Sequence, residues 1–247
     1  DDGFWATQST LSGGTLTNGI GGNINVLAAG GGGRFLRINL INQGTVTVNR
    51  ALTMDKAGAV HTNTGTIQVN ENVTVSQSGT NPSFTNSGTI NVASGKTFQV
   101  NGESFIHASG GAFTGAGTVS MSNVAMTLTV DFLMAANVTL NTTTVDGTGR
   151  TLTNGVGKTL TLVNSTVNTA LVNGGTINVP PATSTINGVL TNQAGGMVRL
   201  GAWQTSELVV LDVTNNGTIE LTDDGFWATQ STLSGGTLTN GIGGNIN

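Results

Sequence analysis

A short string recurs along this chain and constrains its fold more than any other feature. The string reads (T/V)-N-x-G-T-(I/V)-x-(V/L) and appears as TNTGTIQV, TNSGTINV, VNGGTINV and TNNGTIEL. A unit of about 22 residues cannot bury its own apolar side chains, so successive units must stack on one another. The asparagine of the string stands at nine positions: Asn18, Asn42, Asn63, Asn86, Asn154, Asn173, Asn192, Asn215 and Asn240.

One long gap interrupts the series, between Asn86 and Asn154. The gap is about three unit lengths long, so two further copies of the unit would bring residues 1–222 to ten units. The stretch FTGAGTVSM, residues 113–121, is predicted to be one of them, with Gly115 in the place of the asparagine. The stretch around Asn137 is a weaker candidate for another.

Each unit has the pattern of short strands joined by corners. In FTNSGTINV, apolar Phe84 and Ile90 alternate with polar residues, which is the period of a half-buried strand. Asn86 and Gly88 favour a corner between two such strands. Stacking therefore predicts three columns: the motif asparagines, which pass amide hydrogen bonds from coil to coil, an interior column of Ile67, Ile90, Ile177 and Ile219, and an outward column of Thr66, Thr89, Thr176 and Thr218.

The pattern predicts an all-β fold, a β-solenoid of about ten to eleven coils with about 22 residues in each. A right-handed parallel β-helix with three short strands and three turns per coil is the form that we expect. Helical periodicity is absent over any useful length. With strands about 4.8 Å apart, ten coils would advance by about 48 Å.

A second repeat is longer and identical. Residues 1–25 and 223–247 both read DDGFWATQSTLSGGTLTNGIGGNIN. Packing alone does not require identity, because cores tolerate swaps between apolar residues of similar volume. We therefore interpret 1–222 as one full solenoid unit and 223–247 as the start of the next. A duplicated tag is the alternative, and the sequence leaves open whether units are covalently continuous or stacked as separate chains.

The scarcity of charge agrees with a parallel stack. Only 8% of the 247 residues are charged, with 8 Lys+Arg against 12 Asp+Glu, whereas roughly a quarter is usual. Stacked coils place equivalent side chains next to each other, where like charges repel. So few and scattered basic residues argue against nucleic-acid binding, and no apolar run reaches the roughly 18 residues of a membrane-spanning helix. The chain has no cysteine, which excludes disulfides and thiol chemistry.

The recurring strings, together with the cysteine-free and weakly charged composition, resemble the passenger regions of Gram-negative filamentous-haemagglutinin-type and autotransporter adhesins. The resemblance implies a bacterial protein, secreted or at the cell surface, that serves attachment, filament building, a biofilm or a sheath. The identical overlap, the near-equivalent coils and the lack of a unique site favour a structural role without catalysis or a cofactor. The expected partners are adjacent copies of the same repeat, end to end or side by side, and glycans or cell surfaces.

Few residues suggest chemistry beyond this structural role. Glu220, Asp223 and Asp224 form the only acidic cluster and are a weak candidate for a cation site. Trp5, Trp203 and Trp227 are candidates for sugar contacts, because exposed indoles stack on sugar rings. His61 and His107 have no repeating partner, and we expect both to be solvated or at a coil edge.

Two other functions fit the sequence less well. A carbohydrate-binding or carbohydrate-active β-helix would use the acids and tryptophan near residues 220–227, because paired acids are what glycoside hydrolysis needs. An ice-binding solenoid would use flat threonine ladders, but most coils here present threonine beside Gln, Asn or Glu.

Overall fold

The computed structural model describes residues 8–28, 31–102, 104–201, 204–222 and 230–247. These residues form strands, turns and bends without a helix, and hence no helix long and apolar enough to cross a membrane occurs among them. The chain divides into two compact units, Asp1–Thr127 and Leu128–Asn247. Both are parallel β-solenoids, and together they contain about ten turns spaced about 21 residues apart. The predicted fold class is confirmed.

Most strands are short, as expected for coils of this length. The strands that begin in the first unit are β1 (Ser9–Asn18), β2 (Asn23–Val26), β3 (Arg34–Asn42), β4 (Thr45–Val48), β5 (Leu52–Met54), β6 (Val60–Asn63), β7 (Thr66–Val69), β8 (Val73–Ser76), β9 (Ser83–Asn86), β10 (Thr89–Val92), β11 (Thr97–Asn101), β12 (Ser104–His107), β13 (Ala112–Gly115), β14 (Thr118–Ser122) and β15 (Ala125–Leu128).

The second unit contains three longer strands among its short ones. Its strands are β16 (Phe132–Met134), β17 (Asn137–Asn141), β18 (Thr144–Asp146), β19 (Thr151–Asn154), β20 (Thr159–Val163), β21 (Thr166–Val167), β22 (Ala170–Asn173), β23 (Thr176–Val179), β24 (Thr183–Asn192), β25 (Met197–Leu200), β26 (Ser206–Asn215), β27 (Thr218–Leu221), β28 (Ser231–Asn240) and β29 (Asn245–Ile246).

In the first unit the strands form three parallel ladders, so each full coil has three sides. The C-terminal halves of β1 and β3 continue into β6, β9 and β12. The second ladder joins β2, β4, β7, β10 and β13. The third begins with the N-terminal halves of β1 and β3 and continues through β5, β8, β11 and β14.

The second unit repeats this arrangement. One ladder joins β16, β19 and β22 to the C-terminal halves of β24, β26 and β28. Another joins β17, β20, β23, β25, β27 and β29. The third joins β18 and β21 to the N-terminal halves of β24, β26 and β28. The long strands β24, β26 and β28 therefore each cover two sides of a coil.

The interior of each unit is filled by one residue of every alternating pair. Ile67 and Ile90 are paired and buried in the first unit. In the second unit, Ile177 and Ile219 are buried on either side of Val198. The predicted isoleucine column is confirmed as one column in each unit, and burial of such columns is the main stabilising term of a solenoid.

The outward threonines also stack as predicted, although with interruptions. In the first unit Thr45, Thr66 and Thr89 are in register, and the column then continues with Ala112. In the second unit the column is interrupted by a methionine, since it runs Thr159, Thr176, Met197 and Thr218.

Candidate functional site

A ladder of buried carboxamides runs through the first unit. Asn18 Nδ2 donates to Asn42 Oδ1 at 2.7 Å, Asn42 Nδ2 to Asn63 Oδ1 at 2.7 Å, and Asn63 Nδ2 to Asn86 Oδ1 at 2.8 Å. Asn42, Asn63 and Asn86 have no exposed surface. Each amide accepts from the preceding coil and donates to the following one, so the ladder has a direction along the chain.

The second unit contains a ladder of the same kind. Its donors and acceptors follow one another from Asn154 through Asn173, Asn192 and Asn215 to Asn240, with Nδ2–Oδ1 distances of 2.7 to 2.8 Å. The nine predicted asparagines therefore all take part in a ladder, four in the first unit and five in the second.

Every amide nitrogen that donates to the next asparagine of its ladder also donates to a backbone carbonyl oxygen. Asn42 Nδ2 also donates to the carbonyl oxygen of Thr66 at 3.1 Å, and Asn192 Nδ2 to that of Thr218 at 3.1 Å. In the backbone, the amide of Thr64 donates to the carbonyl of Asn42 at 2.8 Å. A short, planar side chain with two donor hydrogens and one acceptor oxygen satisfies the neighbours on both sides, which explains why the corner carries asparagine.

The two ladders stop where the asparagine is replaced. His107 lies opposite Asn86, and Asn86 Nδ2 has no hydrogen-bond partner among the described residues. Met134 lies opposite Asn154, and Asn154 Oδ1 is likewise without a partner in the described part of the chain. The first ladder therefore ends, and the second begins, on a buried and unsatisfied atom.

The two units predicted from residues 113–121 and from Asn137 are misplaced. Gly115 lies opposite Val92 on the second ladder of its unit, and it is His107 that takes the asparagine position. Asn137 begins β17, where its Oδ1 accepts the backbone amide of Thr159 at 3.0 Å. The sequence signal was misleading because the string FTGAGT imitates the motif at another side of the coil.

The glycine of the motif is required by the close stacking of corners. At Gly65 an added Cβ would overlap the carbonyl oxygen of Gly44, and at Gly88 it would overlap that of Gly65. Gly175 and Gly217 meet the backbone carbonyls of Lys158 and Gly196 in the same way. The glycine of the string is therefore explained by a backbone contact between neighbouring coils, and its asparagine by the amide ladder.

Both histidines are buried, so the expectation that they are solvated is wrong. His61 is 1% exposed and lies between Leu40, whose backbone amide donates to His61 Nδ1 at 3.2 Å, and the ring of Phe84 at 5.8 Å. Burial, with a smaller contribution from the charge of Lys56, lowers the pKa of His61 to about 4. Burial also lowers the pKa of His107 to about 4. Both rings are thus neutral members of the core at neutral pH.

The described part of the proposed acidic cluster is explained by an ion pair. Glu220 lies beside Arg199 on neighbouring strands, and Glu220 Oε2 is 3.3 Å from Arg199 Nε. Asp223, Asp224, Trp5, Trp203 and Trp227 lie outside the described residues. Within the described ranges no group of three or more potential metal ligands occurs.

The two copies of the identical segment use opposite edges for pairing. β1 lies on β3, with Ser9 opposite Arg34 and Asn18 opposite Asn42. β28 has the same sequence as β1, but it lies on β26, with Asn240 opposite Asn215. The segment therefore has two edges that both recognise a neighbour, and each copy in this chain shows one of them.

The chain matches no protein-family model, and comparison with curated proteins and with solved structures found none that is similar to it. Its possible chemistry must therefore be judged from its own residues. Buried amide ladders, neutral histidines and paired surface charges stabilise a stack of coils. The feature of this structure that points beyond the single chain is the repeated segment with two complementary edges.

Proposed function

We propose that this chain is a structural repeat of an extracellular bacterial surface fibre or adhesin, and that it serves attachment or filament building without catalysis. The observation that carries the proposal is the pairing of the identical segment, with β3 on one edge in the first copy and with β26 on the other edge in the second. In a continuous run of 222-residue repeats, the segment would lie between β26 of one repeat and β3 of the next and would pair with both.

The asparagine ladder supports the same conclusion. Asn240 is the counterpart of Asn18 in the repeated segment. Asn215 donates to Asn240, and Asn18 donates to Asn42, each at 2.7 Å. In two consecutive 222-residue repeats, the ladder that begins at Asn154 of the first repeat would therefore lead directly into the ladder that begins at Asn18 of the next repeat. Because every coil presents nearly the same face, such a fibre offers many equivalent sites for attachment.

Imaging of the protein in its source cells tests the proposal. Filaments labelled by antibodies against this chain are expected to appear as continuous rods, with strand spacing of about 4.8 Å along the axis and a repeat near 48 Å for ten coils. A monodisperse monomer in the source cells would contradict the proposal.

A carbohydrate-binding or carbohydrate-active protein is the alternative, and ice binding is a third. The pairing of Glu220 with Arg199 gives the carboxylate a structural role, so the fibre is preferred over an enzyme. On the outward face, Asn91 Nδ2 donates to Gln68 Oε1 at 2.8 Å, which interrupts the flat threonine array that ordering of ice would need. A thermal-hysteresis assay is expected to show no activity.

A further inference from the structure

The repeated segment suggests how separate chains join. We propose that residues 9–25 of one chain bind the β26–β27 edge of a second copy of this chain, in the place that residues 231–247 take within the chain itself. This inference rests on the proposed role as a fibre repeat and adds the mode of contact between chains. The junction would be an exchange of identical segments, so it would create no new type of contact.

The glycines of the segment are the first argument. At Gly235 and Gly236 an added Cβ would overlap the carbonyl oxygens of Val210 and Leu211 in β26. At the counterparts of these two glycines in the first copy, Gly13 and Gly14, an added Cβ would meet no atom within 4 Å.

Gly14 is the sharper case of the two. Gly13 has a φ of 138°, which already favours glycine whatever its neighbour. Gly14 has no such backbone requirement, and its pairing partner β3 leaves open space at its Cβ position. Pairing with a β26 strand therefore gives a reason for Gly14, whereas pairing with β3 gives none.

The polar groups of β26 are the second argument. Glu207 Oε1 accepts from Ser234 Oγ at 3.1 Å, and Asp212 Oδ1 accepts from the backbone amide of Thr237 at 2.8 Å. Asn215 Nδ2 donates to Asn240 Oδ1 at 2.7 Å. The counterparts of these three partners are Ser12, Thr15 and Asn18, which offer the same groups in the same order.

The third argument is that β28 covers its neighbours only in part. A cavity of about 220 Å³ remains beneath it, lined by Val210, Val213, Ile219 and Leu221 among others. The outer surface of the segment also stays accessible, since Leu238 is 42% and Ile246 is 47% exposed.

Residues 9–25, the incoming copy of the segment, are already paired along one edge with strands of their own chain. Leu16 and Ile24, the counterparts of Leu238 and Ile246, lie opposite Leu40 in β3 and Val46 in β4. After exchange this segment would be held from both sides, by β3 and β4 of its own chain and by β26 and β27 of the other. This favours exchange at high protein concentration.

Disulfide trapping tests the inference, because the chain has no cysteine of its own. Within one chain Thr10 lies beside Phe35, and Glu207 lies beside Thr183 and Thr232. Exchange would instead place position 10 of one chain next to position 207 of another, about 4.8 Å apart and within disulfide reach. The full chain carrying Thr10→Cys and Glu207→Cys is therefore expected to form covalent dimers and longer chains under mild oxidation.

Two matched pairs identify the mode of contact. The variant with Glu207→Cys and Thr232→Cys is expected to close within one chain and to stay monomeric in size-exclusion chromatography. The variant with Thr10→Cys and Thr232→Cys would form linked chains only if β1 were added on top of β28. Linking through positions 10 and 232 in place of 10 and 207 would overturn the exchange.

A single substitution adds a test that is independent of folding. Gly14→Ala, introduced into the chain with cysteines at positions 10 and 207, is expected to lower the yield of linked chains at least tenfold. Its urea midpoint should stay unchanged, because the added methyl group meets no atom within the chain. Equal linking with and without Gly14→Ala, or no linking by the folded chain at high concentration, would overturn the inference. Rods in the source cells would then still support the proposed fibre with covalently continuous units.

Discussion

Replacement of a middle rung of the asparagine ladder is predicted to destabilise the first unit strongly. Asn63→Ala removes the bonds from Asn42 Nδ2 at 2.7 Å, to Asn86 Oδ1 at 2.8 Å and to the carbonyl of Thr89 at 3.4 Å. It also leaves Asn86, whose Nδ2 already has no partner among the described residues, without a donor for its Oδ1. With about 1 kcal/mol for each net bond and about 1–3 kcal/mol for a newly unsatisfied buried atom, we expect a loss of about 4 kcal/mol.

The assay is urea unfolding followed by circular dichroism, with the midpoint and slope compared among variants. Asn91→Ala is the matched control, because this outward amide makes a bond of 2.8 Å to Gln68 at the surface, and its loss should cost less than about 1 kcal/mol. Asn86→Ala is expected to cost less than Asn63→Ala, since it removes an amide that is already half unsatisfied. The reasoning is refuted if the three variants unfold at the same urea concentration.

Three further predictions concern other parts of the structure. Gly65→Ala is expected to destabilise by more than about 3 kcal/mol, because its Cβ would overlap the carbonyl oxygen of Gly44, while Gly14→Ala should leave the urea midpoint of the single chain unchanged; equal effects would contradict the stacking argument. Acidification is expected to destabilise the fold. The pKa of His61 is lowered to about 4 and that of an unfolded histidine is about 6.5, so the unfolded state binds more protons between these values. The contribution of this neutral ring to stability is fully present above about pH 6.5, and about 3 kcal/mol of it is lost as the pH falls to about 4. The urea midpoint of His61→Phe should therefore decline less steeply between pH 7 and 4.5 than that of the unchanged chain. An equally steep decline in both would contradict the assignment. Glu220→Gln breaks the exposed ion pair with Arg199 and should change stability by less than about 1 kcal/mol; loss of turnover on a polysaccharide in this variant would favour the enzymatic alternative.

The sequence was sufficient to predict the stacked coils, because the same small set of residues performs the same task in each. The motif asparagines, the interior isoleucines and the outward threonines all lie in the predicted columns. Their signal is strong since a parallel stack places equivalent residues side by side. Glu220 belongs to the string TNNGTIEL, but its ion pair with Arg199 depends on the register between two coils, which the string alone does not specify.

The places where prediction failed are those where one residue takes over the position of another. His107 replaces the asparagine opposite Asn86, and His61 replaces an apolar residue opposite Phe84. Matching the motif residue by residue does not identify such positions, because histidine is not one of the residues that define the motif. The spacing alone carried a signal, since His107 follows Asn86 at the same interval by which Asn63 follows Asn42.

Each asparagine ladder is interrupted where a coil has no asparagine at the motif position. Asn86 Nδ2 and Asn154 Oδ1 are buried and unsatisfied in the described structure, which is unfavourable compared with a continuous ladder. By contrast, a junction between repeats of the proposed fibre would keep the ladder intact, because Asn215 donates to Asn240 and its counterpart Asn18 donates to Asn42. In a fibre of 222-residue repeats, the repeated segment would therefore belong to one unbroken ladder. This ladder would run from Asn154 of one repeat, through the junction, to Asn86 of the next repeat. The segment that looks terminal in a single chain would lie in the middle of the longest ordered ladder in the assembly.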